Sequence, residues 1–600
     1  MFGCQTNNLV EEFKNNAKKA IDGGADSDTL TVTSAVGDTA FMKVTNVESL
    51  TIDGGGATSN TLGAYFSASG ITTVNLDGDA GDLTTITASG TTTGITYVAK
   101  GALNEVITAG TGDDTFVFDG TGTLDADDTI TGGLGTDTIQ IDNSATGGGA
   151  VTAVIGVVGV TGVEKVVVKD ADGGDTAGSE NADAISITFN GESGIYDAAD
   201  TTDETDVSVE VDASVITDSN DTVIVDASDI GDSDFTFTIT GGAAIDTLTG
   251  GGGADTIKGG AAADVITGGA GADVIDGGTG ADSITGGTGA DTLTGGSGND
   301  DFKYALASSE STQATTDTIT DFVTGSDEIR IAFTTDNGAT SSTYDFTNKG
   351  AVPNVSEGIG KLSSVIGQYL LNTSTNTLIL DADGNGLLQS TDLATTLTGV
   401  SALADADVAF DITTGTGGGV NGDTVTTGNG ADTLTLKLAA DAATTGKGDD
   451  TITIINSVVN TGAIDMGAGA DTIHADGASG ITGAVTGVEK ITIKDNGSMS
   501  VDAVNANTFN GVDGFEVVGV DGTEEFILQG VASPLNAASV ADWSSVVFTN
   551  VIPKFVFDHA GDKFTGGSSA EVFEFPTSAV VQSMTSASKF AGGQGEDTID

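Results

Sequence analysis

From Gly241 to Lys303 the chain repeats a nine-residue phrase seven times without a slipped residue. Each phrase has the form G-G-x-x-x-D-x-(large apolar)-x. Its aspartates are Asp246, Asp255, Asp264, Asp273, Asp282, Asp291 and Asp300, and its apolar positions are Leu248, Ile257, Ile266, Ile275, Ile284, Leu293 and Phe302. Glycine tolerates positive φ and close backbone approach, so the first six residues of each phrase suit a tight turn. The last three, such as Thr256-Ile257-Lys258, favour extended backbone but are too few for an independent strand. Stacked in parallel, their central side chains make one continuous apolar column, the only core such a segment can have. Two phrases per coil put strands on opposite sides and bring carboxylates of successive coils together.

Unpaired carboxylates in that arrangement repel one another. A hard divalent cation held by aspartate oxygens and turn carbonyls relieves the repulsion, and calcium tolerates such an irregular, oxygen-rich shell better than magnesium. A flexible glycine linker would not keep an invariant aspartate and an invariant apolar residue in register.

The phrases 268–276 (GGAGADVID), 277–285 (GGTGADSIT), 286–294 (GGTGADTLT) and 295–303 (GGSGNDDFK) fit the pattern G-G-x-G-x-D-x-U-x in full. In this the segment resembles the RTX, or haemolysin-type, calcium-binding repeat. The resemblance implies an all-β fold: a parallel β-roll or β-solenoid built from glycine-rich nonapeptides. β-rich flanking and capping segments and one short N-terminal helix complete the expected fold. It also implies several calcium ions. The expected ligand set is the seven aspartates above with the turn glycines Gly251, Gly253, Gly260, Gly269, Gly271, Gly278, Gly280, Gly287, Gly289, Gly296 and Gly298. Ala244 and Ala262 stand where the pattern has its third glycine, which weakens the expectation beside those two turns.

Related phrases lie outside the array. AGTGDDTFV (109–117) and GGLGTDTIQ (132–140) place Asp114 and Asp137 in the ligand position, with Asp128 nine residues before Asp137. A second array starts at Gly418 with aspartates at Asp423, Asp432, Asp441 and Asp450, followed by MGAGADTIH (466–474) with Asp471. Of these, Asp114, Asp137, Asp432, Asp450 and Asp471 are taken as candidate calcium ligands. GGSSAEVFE (566–574) carries Glu571 in that place, and GGQGEDTID ends the chain at Asp600.

A second phrase reads VTNVESLTID at 44–53, VTGVEKVVVKD at 160–170 and VTGVEKITIKD at 485–495. Glu164 follows Asp137 by 27 residues and Glu489 follows Asp471 by 18, both multiples of nine. These phrases are therefore expected to be solenoid coils in the same register without the full glycine turn. They also resemble phrases of large RTX-type surface-layer proteins and adhesins.

Five regions are expected. Residues 1–100 form a threonine-rich solenoid-like segment with a short helical cap, the helix being read from Leu9, Phe13, Ala17 and Ile21 on one face of 7–21. Residues 101–240 hold degenerate repeats, 241–303 the calcium roll, 304–411 a cap, and 412–600 a second degenerate region that stops inside a repeat, as if the sequence continued. Within the cap, Asp381, Asp383, Asn385 and Asp392 occupy positions 1, 3, 5 and 12 of a DxDxNG loop, a further candidate calcium site in a β context. A second short helix is expected over 386–398.

Charge and missing motifs narrow the function. With 87 acidic against 19 basic residues, the formal net charge is −68. Such a balance disfavours nucleic acid and anionic lipid as partners. Hydrophobic content of 38% speaks against disorder, while 90 glycines against 4 prolines suit short strands and tight turns. The single Cys4 makes no intrachain disulfide, and no apolar run is long enough to span a membrane. The N-terminus lacks the basic start and apolar stretch of a Sec signal, so export of the type I kind is what the resemblance implies. HExxH and G-x-S-x-G motifs are absent and the histidines are His474 and His559, which points away from an enzyme. The reading is a calcium-binding extracellular structural protein, S-layer or adhesin-like, whose partners are Ca2+, further copies of itself or a cell-surface polysaccharide. The alternative is the non-catalytic RTX portion of a larger secreted toxin or hydrolase.

Overall fold

The computed structural model describes residues 20–53, 58–77, 83–100, 104–119, 124, 128–142, 151–155, 160–169, 184–189, 207–217, 219–305, 315–334, 343–353, 362, 366–382, 392–414, 424–437, 440–455, 458–502, and short strands at 516–519, 525–529, 541–542, 547–549, 552–556, 563–565, 572–574, 589–591 and 598–599. Their regular secondary structure is almost wholly β-strand, arranged as a parallel β-solenoid. The chain divides into two units, Met1–Asp301 with Asp317–Asp321, and Phe302–Thr316 with Phe322–Asp600.

In the first unit, successive strands alternate between two sides of a coil, as nine-residue phrases taken in pairs require. Thr256–Ala261 pairs in parallel with Val274–Thr279, and that strand with Thr292–Ser297. On the other side Thr247–Thr249 pairs with Val265–Ala270, and that strand with Ser283–Thr288. The apolar positions fall in register: Ile257 opposite Ile275 opposite Leu293, and Leu248 opposite Ile266 opposite Ile284, all at most 1% exposed. Five of these six strands are longer than the triplets expected. Val265–Ala270, for example, runs on through the first two glycines of the following phrase. The glycine pair is extended enough to join the ladder, and Gly260 pairs with Gly278 across it.

The column does not stop at the array. It continues backwards through Ile239, Val211, Val166, Ile139, Phe116, Tyr97, Val74, Leu50 and Leu30, each opposite the next. The strands Ser49–Ile52 and Lys165–Lys169, from the VES and VEK phrases, are thus rungs of the same ladder. The column also takes aromatics, and Tyr97 stacks on Phe116 at 5.3 Å.

The second unit repeats the logic. Val408–Thr413, Thr433–Leu436, Thr451–Ile454, Thr472–Ile481 and Lys490–Asp502 pair in parallel, aligning Ile412, Leu434, Ile452, Ile473 and Ile491. Thr424–Thr426 and Ala442–Thr444 form the alternate side, so the array after Gly418 does carry nine-residue register. An antiparallel meander, Tyr369–Asn372, Thr377–Leu380 and Leu393–Leu397, interrupts the parallel pattern.

Two helical expectations are corrected or left aside. Among the described residues, helix is confined to Ala64–Ser67 and the 3-10 turns Asp38–Phe41 and Asp405–Asp407. The segment 386–398 contains the strand Leu393–Leu397 instead, because Leu393, Ala394, Thr395 and Leu397 are all buried and the strand pairs in register with Thr377–Leu380. Burial on both faces suits a sheet, not a one-sided helix. Most of 7–21 lies outside the described residues; its last member, Ile21, is in the strand Ile21–Asp22, paired with Val44–Thr45.

The column predicts where stability resides. Ile275→Ala should lower the unfolding free energy of the calcium-loaded protein by about 2–5 kcal/mol, read by denaturant titration at fixed calcium. Thr292→Ala, on the exposed face of the neighbouring strand, should change it by less than about 0.5 kcal/mol.

Candidate metal centre

Each array aspartate ends a glycine turn, just before the strand that carries the apolar residue, and its side chain turns inward. All seven are at most 1% exposed. Burying a carboxylate is costly unless it finds hydrogen bonds, and from Asp264 on each finds the same one. Oδ1 accepts the backbone N–H of the equivalent aspartate one coil earlier: Asp264 from Asp246 N at 2.8 Å, Asp273 from Asp255 N at 2.8 Å, Asp282 from Asp264 N at 2.8 Å, Asp291 from Asp273 N at 2.8 Å and Asp300 from Asp282 N at 2.9 Å. Two carboxylate ladders result, one along each edge of the roll.

The second oxygen is where a cation fits. Oδ2 of Asp264, Asp273 and Asp282 is buried and has no hydrogen-bond partner. It faces the first glycine of its own turn and the carbonyl one coil on. A Cβ placed on Gly259 would stand 2.5 Å from Asp264 Oδ2 and 2.5 Å from Gly277 O, so any side chain there would fill the space between two hard oxygen donors. The second and fourth glycines of the open turns have positive φ, +107° at Gly278 and +148° at Gly280, as do Gly269, Gly271, Gly287, Gly289, Gly296 and Gly298. Ala262 keeps this turn shape at φ +77° despite its Cβ, a conformation unfavourable for an L-residue. Among the described residues, no three His, Cys, Asp or Glu side chains converge into a metal site. A cation held here would therefore draw on peptide carbonyls as well as carboxylate. Orphaned Oδ2 atoms, a cradle that a Cβ would fill and an all-oxygen donor set fit calcium.

Electrostatics agree. Burial, with repulsion from neighbouring rungs, pushes Asp273 up to about 8 and Asp264 up to about 7, against hydrogen bonds from Asp255 N and Asp246 N that pull them down. Burial raises Asp282 and Asp246 as well, and Asp255 to about 6.

The same device recurs outside the array. Asp137 accepts from Asp114 N at 2.7 Å, and burial raises it to about 7. In the second unit Asp450 accepts from Asp432 N and Asp471 from Asp450 N, both at 2.9 Å. Oδ2 of Asp137 and Asp471 also lacks a hydrogen-bond partner, whereas the hydroxyls of Thr427 and Thr445 act on the carboxylates of Asp432 and Asp450. Burial raises Asp432 to about 8 and Asp471 to about 7. Asp114 is engaged on both oxygens, by Ile95 N at 2.8 Å and Gly110 N at 3.2 Å.

Several rungs are absent from the expected ligand set. Glu48, Glu164 and Glu489 reach the amides of Asp28, Asp137 and Asp471 at 2.8, 2.7 and 2.8 Å, so the VES and VEK glutamates substitute for aspartate in the ladder. The multiples of nine that place Glu164 and Glu489 were the signal. Asp317 accepts from Asp291 N at 3.0 Å, 26 residues on where the array steps by 18. The longer coil hides it, although Asp317-Thr-Ile319 keeps the aspartate-x-apolar ending. Of the DxDxNG loop, Asp381 and Asp392 are buried, and Asp392 Oδ1 accepts from Ala382 N at 3.2 Å. Asp383 and Asn385 lie outside the described residues, as does Asp423.

Comparison with protein families matches the RTX calcium-binding nonapeptide repeat in 4 copies, over residues 124–140, 240–275 and 267–302. No curated protein matches the chain.

The raised aspartates give a pH prediction with a definite sign. Their folded values, about 7 for Asp264 and about 8 for Asp273, exceed the ordinary 3.8, so between these limits the cation-free fold holds more protons than the unfolded chain. Stability without calcium should be greatest below about pH 4 and fall as pH rises towards about 8. Thermal unfolding of chelated protein across that range tests this. At neutral pH calcium binding should release protons, measurable by calorimetry in buffers of different ionisation enthalpy.

Proposed function

We propose, from the premise that the chain is a calcium-binding RTX repeat protein, that it is a non-catalytic structural protein of a bacterial surface, of S-layer or adhesin type, which folds on calcium after export. The observation that carries this reading is the extent of the ladder. Carboxylate rungs and the apolar column run far beyond the residues matched to the family, through Glu48 and Glu164 in the first unit and to Glu489 in the second. The repeat is the body of these units. Among the described residues no helix is long and apolar enough to cross a membrane.

The mechanism is coupled binding and folding. At the low free calcium of a cytosol, buried like charges and a net charge of −68 oppose coiling and keep the chain extended and exportable. At extracellular calcium, on the order of millimolar, each bound ion favours the coiled state in proportion to the excess of ligand over its dissociation constant. Self-association into a layer, or attachment to surface polysaccharide, is the role such a calcium-set solenoid serves. Export by a type I route belongs to the same reading.

Circular dichroism and limited proteolysis across a calcium titration test the coupling. The account expects β signal and protease resistance to appear together as calcium rises, at higher calcium for Asp282→Ala. Equal β signal and resistance in excess chelator at neutral pH would contradict it. Electron microscopy of the calcium-loaded chain should show ordered sheets or filaments; dispersed monomers at all concentrations would remove the surface-layer assignment.

A further inference from the structure

The array aspartates share one sequence pattern but have two hydrogen-bond environments. In the first turn on each edge of the roll, the amide of the second glycine folds back onto the carboxylate. Gly242 N donates to Asp246 Oδ2 at 2.6 Å, and Gly251 N to Asp255 Oδ2 at 2.7 Å. Their other oxygens accept from Val223 N at 2.8 Å and Phe237 N at 2.7 Å. Both oxygens of both carboxylates are therefore engaged by peptide N–H groups. From the next turn on, the second glycine has positive φ, +116° at Gly260 and +116° at Gly269, and Gly242 and Gly251 do not. Beyond this change, Oδ2 of Asp264, Asp273 and Asp282 is buried with no hydrogen-bond partner.

The change follows the stacking. A Cβ on Gly260 or Gly269 would collide with the carbonyl of Gly242 or Gly251, so each open turn lies directly on a glycine turn one coil earlier. The closed turns lie instead on turns without the glycine pair: a Cβ on Gly242 would stand 3.0 Å from Ile216 O, and one on Gly251 3.0 Å from Ile230 O. The pattern occurs a second time, independently. Asp114 is closed by Gly110 N at 3.2 Å, while Asp137 in the next coil has positive φ at Gly133 and Gly135 and an unpartnered Oδ2.

We propose that the array is divided in function: Asp246 and Asp255 close a cation-independent seed held by backbone amides, and calcium binding begins with Asp264 and Asp273. The inference rests on the calcium reading above and adds where the sites start. A carboxylate with both oxygens on N–H donors has its charge compensated, and a cation there would have to displace the glycine amide. The seed then offers a formed glycine turn on which the next coil stacks, the step that a one-dimensional solenoid needs before it propagates.

The test uses the full chain and four variants, Asp246→Asn, Asp255→Asn, Asp273→Asn and Asp282→Asn, with calcium counted by equilibrium dialysis and amide exchange followed with and without chelator. Asparagine keeps the Oδ1 acceptor and replaces Oδ2. The first two variants should bind as many ions as the unsubstituted chain, and the last two about one fewer each. In chelator the order inverts. Asp255→Asn should speed exchange at the Gly251 amide by about tenfold, for one charge-assisted hydrogen bond, whereas Asp273→Asn, which removes a buried charge, should speed nothing in the seed. The unsubstituted chain needs no variant: in chelator, Gly242 and Gly251 amides should exchange more slowly than those of Gly260 and Gly269. Equal ion loss in all four variants, or equal exchange at these glycines, would overturn the division while leaving calcium binding intact. Absence of calcium binding by the unsubstituted chain would overturn both.

Discussion

Every coil of the array buries a carboxylate, and the rest of the structure is organised around that fact. A buried aspartate needs compensation for each oxygen. One oxygen is served by the amide of the rung before it, which joins consecutive coils by a charge-assisted bond in addition to the strand ladder. The other is left to a turn amide in the first coils and to a cation site in those that follow. The apolar column supplies attraction within each unit, but in the array it is narrow, one large side chain per strand, as with Ile266, Ile275 and Ile284. The electrostatic state of the rungs therefore decides when the column forms.

The glycines follow from the same constraint. The first glycine of a turn is required because Oδ2 and a carbonyl of the next coil converge on the place its Cβ would take, as at Gly259. The second and fourth are required by left-handed backbone and by close stacking on the preceding turn, as at Gly278 and Gly280. Where the second array replaces the first glycine with Thr427, Thr445 or Met466, the rungs Asp432, Asp450 and Asp471 persist but the cradle does not have the same open form. Rung and cradle are separable, and only together do they make the site described for 259–303.

Much of this was legible in the residues. Nine-residue spacing locates both strand sides and the apolar column, and multiples of nine place Glu164 and Glu489 in register from the sequence alone. Other features depend on contacts that spacing does not encode. Gly242 and Gly260 open phrases with the same letters, yet one folds its amide onto an aspartate and the other does not, because only one has a glycine turn beneath it. Asp317 escaped because its coil is eight residues longer while its strand is unchanged in kind. Leu393–Leu397 falls within 386–398, where a short helix is expected, and burial on both faces of an antiparallel meander makes it a strand instead.

The most direct test of the central claim is hydrogen exchange at neutral pH, read at the amides of Asp264 and Asp273, which donate to the carboxylates of Asp282 and Asp291. If uncompensated charge on the rungs is what opposes coiling, these amides should be strongly protected with calcium bound and exchange near the unfolded rate when calcium is removed. Protection unchanged by chelator would show that the coils close without help from a cation, and would contradict the account.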